Sequence, residues 1–366
     1  MMEGPWFYPG EVRGLNLATV RRERRLPIPG RVRVRRGEAV EATTVLAVAE
    51  QPAGVVVVDL ARPLRVPPAR VVHHLRRKPG TSVQAGEILA ARRIRLGLQT
   101  LRVRSPVDGE IVAVGGGKVL IRTGVRILEL RAGFPGMVAE VIPDYGAVIE
   151  MTGALIQASW SIGLDPETPW SGVVRVVGTG TEPLRARAID AMAHGTLVVS
   201  GGWIEPSGLE QARQLQVKGL IAGSMEVSLL PMLREMPFPV ILTEGFGRLP
   251  MHPAMFRIFL MAQGREAFLL RSPGSMGLPG RPEILIPLPT ENPPPPEPPA
   301  EIPLRPGVKV RGLREPLLGR SGTVHAIARA PMVLESGFQA WCVEIQPDGE
   351  EARLWVPVHN VEILHM

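Results

Sequence analysis

Three short runs of small polar residues hold the arrangement best suited to binding a small ligand: Ser200-Gly201-Gly202, Gly223-Ser224 and Thr243-Glu244-Gly245. Glycine lets backbone N–H groups approach an anion, and Ser and Thr add hydroxyls. Glu244 is suited to act as a base or to bind a ribose or an amine. His252 opens the following helix and is a further candidate ligand group. The same residues also suit a purely structural role, because Gly and Ser serve capping and positive-φ geometry at strand-to-helix turns. No G-x-G-x-x-G, Walker A, H-E-x-x-H or G-x-S-x-G pattern accompanies them. The single cysteine, Cys342, excludes a disulfide framework and a cysteine-based zinc site. No catalytic residue, metal or cofactor is therefore assigned, and whether the chain is an enzyme stays open, with a non-catalytic role favoured.

A second candidate chemistry is electrostatic. Residues 1–104 hold 20 Lys and Arg against 8 Asp and Glu, a net of +12 in a chain whose total is +7. Arg31, Arg33 and Arg35 have strand period, which puts their side chains on one face. Arg76, Arg77 and Lys78 form a second basic run. Both sets are candidates for holding a polyanion, nucleic acid included, although aromatic residues for base stacking are missing around them. The adjacent His73 and His74 are expected to point to opposite faces of a strand, which argues against a shared metal ion.

These residues need elements to position them. At 366 residues the chain is long enough for two or three domains, and 45% hydrophobic content suffices for packed cores. Short Val/Ile/Leu runs broken by Gly and Pro fill the first 130 residues. They include a repeat: Gly37, Val40 and Val45-Leu46-Ala47 recur 43 residues later as Gly80, Val83 and Ile88-Leu89-Ala90. Such spacing predicts a small β-barrel or sandwich. A β-rich connector over 131–180 follows. Residues 181–288 then alternate between strands and helices. Helices are expected at Leu184–Met192, from the opening Glu205-Pro206-Ser207-Gly208 to about Val217, at Val227–Glu235 (starting late or kinked because of Pro231) and at Pro253–Met261. The intervening apolar runs at 196–200, 219–223, 238–243 and 266–270 predict a parallel sheet covered on both faces, with the three glycine runs at a common rim. The Pro-rich stretch over 289–306 is expected to be an extended, semi-rigid spacer. A last unit spans 307–366.

Two resemblances sharpen this outline. Lys78-Pro79-Gly80-Thr81-Ser82-Val83-Gln84-Ala85-Gly86-Glu87-Ile88-Leu89-Ala90, with Ser105-Pro106-Val107-Asp108-Gly109-Glu110-Ile111, resembles the biotinyl/lipoyl-type barrel-sandwich hybrid family. Carrier members of that family hold a lysine on the hairpin between the two halves. Here that hairpin reads Arg95-Leu96-Gly97-Leu98-Gln99-Thr100-Leu101, so the resemblance implies an unmodified module. Gly307-Val308-Lys309-Val310, Leu317-Leu318-Gly319-Arg320-Ser321-Gly322-Thr323-Val324 and the closing 355–364 segment resemble a KOW-containing SH3-like barrel, as in the transcription elongation factor NusG. The fold class expected is thus multidomain β plus α/β: a barrel-sandwich hybrid (1–130), the connector, a small parallel-sheet α/β domain, the linker and a C-terminal SH3-like (KOW) barrel.

The opening residues lack the apolar run of a secretory signal, and no apolar stretch is long enough to span a bilayer. A cytoplasmic protein without membrane contact is expected. The function expected is that of a non-catalytic binding or scaffold protein, contacting a protein partner or a ribosome- or polymerase-type assembly. Nucleic acid would be held through the basic N-terminal module. The rival is an enzyme or sensor that binds a phosphorylated or nucleotide ligand at the glycine runs.

Overall fold

A computed structural model describes residues 7–94, 99–165, 170–271, 280–290, 294–298 and 302–366. It is mostly β. One continuous path of paired strands runs through most of the chain. From one edge it takes Trp160–Ile162, Val240–Phe246, Gly219–Met225, Leu197–Ile204, Trp170–Val177, Glu266–Arg271, Pro282–Pro287, Gly146–Gln157 and Glu11–Arg25. It then crosses into the C-terminal unit through Val361–His365, Lys309–Gly312, Ser321–Ile327, Cys342–Pro347 and Leu354–Pro357.

The four strands from Trp170–Val177 to Val240–Phe246 are parallel to one another, and Trp160–Ile162 pairs antiparallel at the outer edge. The runs in Leu197–Ile204, Gly219–Met225 and Val240–Phe246 are nearly continuously buried because both faces are covered. Leu197, Val199, Ile221 and Ile241 face one core with Met255, Phe256, Ile258 and Phe259 of the Pro253–Met261 helix. The alternate residues Val198, Leu220, Ala222, Val240 and Leu242 face another, with Leu209 and Ala212 of the Pro206–Gln214 helix. Period-two alternation divides each strand between two cores.

Several expectations change here. Leu184–Met192 is not an α-helix but carries two 3-10 turns, Ala186–Ala188 and Ala191–Ala193; the Asp190 carboxylate accepts from Met192 N and favours the tight turn. Val227–Leu229 is a 3-10 turn and the α-helix starts late, at Leu230–Leu233, with Pro231 in its first turn. His73 and His74 end a 3-10 helix over Pro68–His74 rather than lying on a strand. Glu266–Arg271 runs antiparallel, beside Trp170–Val177. Gly264, at φ +78°, allows the tight turn in which Gly264 N donates to Val174 O and Val174 N donates to Arg265 O; that delivers the chain to this edge. The layer is therefore mixed. Trp170–Val177, expected in the connector, is one of its central strands.

The Pro-rich stretch is a strap rather than a free spacer. Thr19 N donates to Pro295 O (3.0 Å) and the Thr19 hydroxyl to Pro294 O (3.1 Å). Glu297 accepts from Arg13 (2.8 Å) and from Arg22, which also holds buried Glu283 (2.6 Å). The C-terminal unit is not independent either, because Glu11–Arg13 pairs in parallel with Ile363–His365.

The repeat in the N-terminal third is a structural duplication, and its second copy is inserted into the first. Gly37 (φ +80°) donates to Val138 O, and Gly80 (φ +85°) donates to Ile111 O. Val40 pairs with Gly136, and Val83 pairs with Gly109. A Cβ on Gly136 would lie 2.4 Å from Glu150 O, and one on Gly109 would lie 2.3 Å from Arg122 O, so both pairings require glycine. The first copy belongs to the body's core with Val40, Leu46 and Ala47. The second has its own core, with Val83, Leu89, Ala90, Val103, Ile111, Val119 and Ile121. A two-stranded ribbon, Val45–Asp59 paired with Lys118–Arg131, carries the second copy away from the first.

Candidate functional site

The three glycine runs do meet. They lie inside the parallel strands as irregularities, not in the turns after them. Ser200 is level with Ala222 and Leu242, and Trp203 with Ser224 and Gly245, across register shifts at Ser200/Trp203 and Ala222/Ser224. The chain itself closes over them. A Cβ on Gly201 would lie 2.3 Å from Gly180 O, and one on Gly202 would lie 1.8 Å from Glu182 O. A Cβ on Gly223 would meet Met251 N at 2.5 Å and Leu249 O at 2.7 Å. Ser224 is fully buried; its hydroxyl accepts from Leu249 N (2.7 Å) and lies within hydrogen-bond distance of Gly247 O and Leu249 O. Met251 N donates to Gly201 O (2.6 Å). The Thr243 hydroxyl turns to Ala222 O (3.5 Å), and Thr243 O accepts from Ser159.

Glu244 and His252 face the C-terminal unit. Arg311, with 2% of its side chain exposed, donates through Nη1 to Glu244 and through Nε (2.8 Å) and Nη2 to Glu362. Arg281 donates to the other Glu362 oxygen (2.7 Å). Two cations and two carboxylates thus form a neutral cluster at the junction. Burial pushes the Glu244 carboxyl above its ordinary range, and the nearby Arg311 opposes this only in part. Burial acts in the same sense on Glu362, but Arg311 and Arg281 together outweigh it and hold that carboxyl below the usual range. His252 Nδ1 accepts from Ala254 N (3.3 Å), capping the Pro253–Met261 helix. The ring proton is then on Nε2, which donates to the Ser321 hydroxyl (2.8 Å). Burial, then Arg311, lowers the His252 pKa and keeps the ring neutral. The residues proposed for a ligand are together, with their polar groups taken up by the chain. Arg311 was not singled out from sequence as the shared partner of Glu362 and Glu244; separations of 51 and 67 residues leave no local pattern.

The two basic sets do not form one patch. Arg31, Arg33 and Arg35 are exposed, with Val32 and Val34 turned inward, so they share a face of the first copy. Nearby, Arg21, Arg36, Ala139, Glu140 and Val148 line a groove of about 300 Å³ that includes a carboxylate. Arg76, Arg77 and Lys78 are exposed on the inserted copy.

That inserted copy carries the charge. Residues 60–122 hold 13 Lys and Arg against 3 Asp and Glu, a net of +10; the remaining 29 basic and 32 acidic residues sum to −3. Each of the three acids is engaged: Glu87 by Arg77 and Gln84 N, Asp108 by Ala85 N, and Glu110 by Arg122. Among the described residues Arg62, Arg65, Arg70, Arg76, Lys78, Arg92, Arg93, Arg102, Arg104 and Lys118 make no ion pair with a carboxylate. Sequence reading passed over Arg93, Arg102 and Arg104. The hairpin Ile88–Ile94/Gln99–Arg104 pairs Ala91 with Arg102 and Arg93 with Thr100. Cross-strand partners share a face, so Arg93, Arg102 and Arg104 line its outer side, while Ala90, Leu101 and Val103 pack inward. The alternation Arg102-Val103-Arg104 was the available signal. The carrier-lysine position, at 95–98, lies outside the described residues.

Among the described residues no group of His, Cys, Asp and Glu could hold a metal ion, and no helix is long and apolar enough to cross a membrane. The chain matches no protein-family profile and no curated protein.

Proposed function

We propose that the chain is a non-catalytic adaptor of the cytoplasm. The α/β layer and C-terminal unit form its body, and its inserted N-terminal copy is an arm that holds a polyanion within a larger assembly of the transcriptional or ribosomal kind. In this reading the duplicated copies are two barrel-sandwich-hybrid modules without a carrier role, and the C-terminal unit is a KOW-type SH3-like barrel. One observation carries the proposal: a net +10 sits on one small unit, reached by a two-stranded ribbon, while the rest of the chain is slightly acidic. Concentrated charge of one sign attracts a polyanion over several ångströms and loses that attraction with salt. The closed rim supports the non-catalytic part, since Glu244, Ser224 and His252 already bond within the chain.

The test is retention of the full chain on immobilised heparin across a salt series. Retention at about 50 mM salt that is lost with rising salt is expected. Elution in the void at low salt would overturn the proposal.

A further inference from the structure

The inserted copy is a two-layer unit with chemically opposite outer faces. One layer is the hairpin, whose outer side presents Arg93, Arg102 and Arg104 with Ala91 and Thr100. The Leu75–Ala90 bridge and the Arg76 N to Leu89 O bond (2.8 Å) attach the segment bearing Arg76 and Lys78 to the hairpin. The other layer is the distal ribbon with Gly109–Gly115. Its outer side presents Val55, Val57, Val112 and Leu120, with Arg122 paired to Glu110. The core of the copy lies between the two layers.

Resting on the polyanion reading above, we infer that the arginine face of the hairpin binds double-stranded nucleic acid through its phosphate backbone, without reading sequence. Four features of the face select this partner. It has no anchor for a protein, because residues 60–122 contain no Phe, Trp, Tyr or Met and protein interfaces concentrate their energy in such side chains and Arg together. The same absence removes the stacking platform on which single-stranded bases are held. Its apolar residues point away from the arginines, whereas a peripheral membrane surface needs apolar and basic groups to reach the bilayer together. Arginine supplies 11 of the 13 cations in this copy, and its planar fork matches a phosphate with two parallel hydrogen bonds. A duplex presents the densest array of phosphates, one charge per about 1.7 Å of axis. Arg102 and Arg104, two residues apart on a strand, lie about 7 Å apart along it, and Arg93 faces the same way from the adjacent strand. Contacts of this kind position a duplex and carry no base information.

Arg93, Arg102, Arg104, Arg76 and Lys78 make about five phosphate contacts in this reading, giving a slope of log affinity against log salt of about −4.5. Between about 50 and 200 mM salt the affinity should fall about 500-fold. The experiment is fluorescence anisotropy of the full chain with a short labelled duplex, in DNA and RNA arms. The comparison probes are a scrambled duplex, the single strand, poly-glutamate and vesicles of anionic phospholipid. Expected are binding at least about tenfold tighter to duplex than to single strand, poly-glutamate or vesicles, equal binding to the scrambled duplex, and the slope above. The Arg93→Gln, Arg102→Gln, Arg104→Gln triple variant should lose about 3 from the slope magnitude, with the melting temperature lowered by no more than the loss of the exposed Arg104 Nη1 to Gly86 O bond (2.6 Å) entails. The control triple Arg185→Gln, Arg213→Gln, Arg248→Gln removes the same net charge from exposed pairs elsewhere and should leave the slope unchanged. Single-strand, poly-glutamate or vesicle binding as tight as duplex binding would overturn the inference while heparin retention leaves the polyanion reading standing. So would a preference between duplex sequences, or a hairpin variant that binds like the unaltered chain.

Discussion

Replacing Arg311 by methionine tests the junction between the α/β layer and the C-terminal unit. Among the described residues Arg311 is the only cation bonded to Glu244, whose side chain is 3% exposed and which also accepts from His252 N at 3.1 Å and from Thr243. Glu362 is different, because Arg281 still holds its second oxygen at 2.7 Å. The substitution therefore strands one buried carboxylate, which places the cost at about 3–5 kcal/mol. Arg281→Met leaves Glu362 with Arg311 and should cost about 1.5–3 kcal/mol, the value of a charge-assisted hydrogen bond. Neutralising the stranded group in the Glu244→Gln, Arg311→Met double variant should recover at least about 1.5 kcal/mol relative to the sum of the single changes. Urea unfolding of the full chain at pH 7, followed by circular dichroism, measures all five proteins: the unaltered chain, Arg311→Met, Arg281→Met, Glu244→Gln and the double variant. The pH dependence has a definite sign. Glu244 titrates higher in the folded chain than unfolded, so its protonation favours the fold and that contribution is lost as pH rises through the folded pKa. Glu362 titrates lower, so its contribution is present above the unfolded pKa and is lost as pH falls through the folded one. Without Arg311 the Glu244 carboxyl moves higher still, and the deficit of Arg311→Met should shrink as pH falls from 7 towards about 5. A cost below about 1 kcal/mol, a deficit flat with pH, or strictly additive single and double variants would refute the buried cluster.

Three further substitutions address the rim and the strap. Gly202→Ala forces a methyl against Glu182 O and should destabilise by about 1–3 kcal/mol in the same urea assay; a neutral result would mean that the rim is open. His252→Ala should flatten the stability profile just below pH 6.5, because the neutral ring of the folded chain resists protonation; stability in the unaltered chain is present above the unfolded pKa and lost as pH falls through the lowered folded one. Glu297→Gln weakens the bonds to Arg13 and Arg22 that hold the Pro-rich strap. Hydrogen exchange at the Thr19 amide, bonded to Pro295 O, should then accelerate at least about tenfold, which corresponds to about 1.4 kcal/mol.

What the residues reveal in advance follows the range of the interaction responsible. The 43-residue repeat was legible because its signals are local: a glycine at positive φ, a valine three residues on and an apolar strand. The Pro206–Gln214 and Pro253–Met261 helices were legible from Pro at the first turn and apolar spacing. Leu184–Met192 misled because the spacing of Leu184, Ile189 and Ala193 buries the same side chains from two short turns as from a helix. The glycine runs were correctly grouped, but their burial was not legible. The groups that cover them come from Gly180, Glu182, Leu249 and Met251, and nothing in the runs encodes that approach. The pairing of Glu11–Arg13 with Ile363–His365 spans nearly the whole chain and has no short-range counterpart.

The ribbon shows why an apolar run alone misjudges burial, and what that means for the arm. A short uninterrupted apolar run is the common pattern of a strand buried on both faces, yet in the run Val55 to Val58 both Val55 and Val57 are more than half exposed. Near the body, the face carrying Ala47, Ala49, Leu128 and Leu130 is buried in the first core, and the opposite face exposes Val125 and Ile127. Beyond Gly54 and Thr123 the order reverses. Val119 and Ile121 are buried in the second core on that opposite face, and Val55 and Val57, on the face of Ala49, are exposed. Each core needs only one side of the ribbon, and the two cores use opposite sides. Strand alternation passes unbroken through the switch, so the orientation of the arm follows from the register of one strand pair. A one-residue slip of that register would turn both buried sets outward at once. The ribbon's uninterrupted pairing from Ala47 to Asp59 therefore fixes the direction in which the arginine face points relative to the body, and the exposed valines are the consequence of serving two cores with one strand pair.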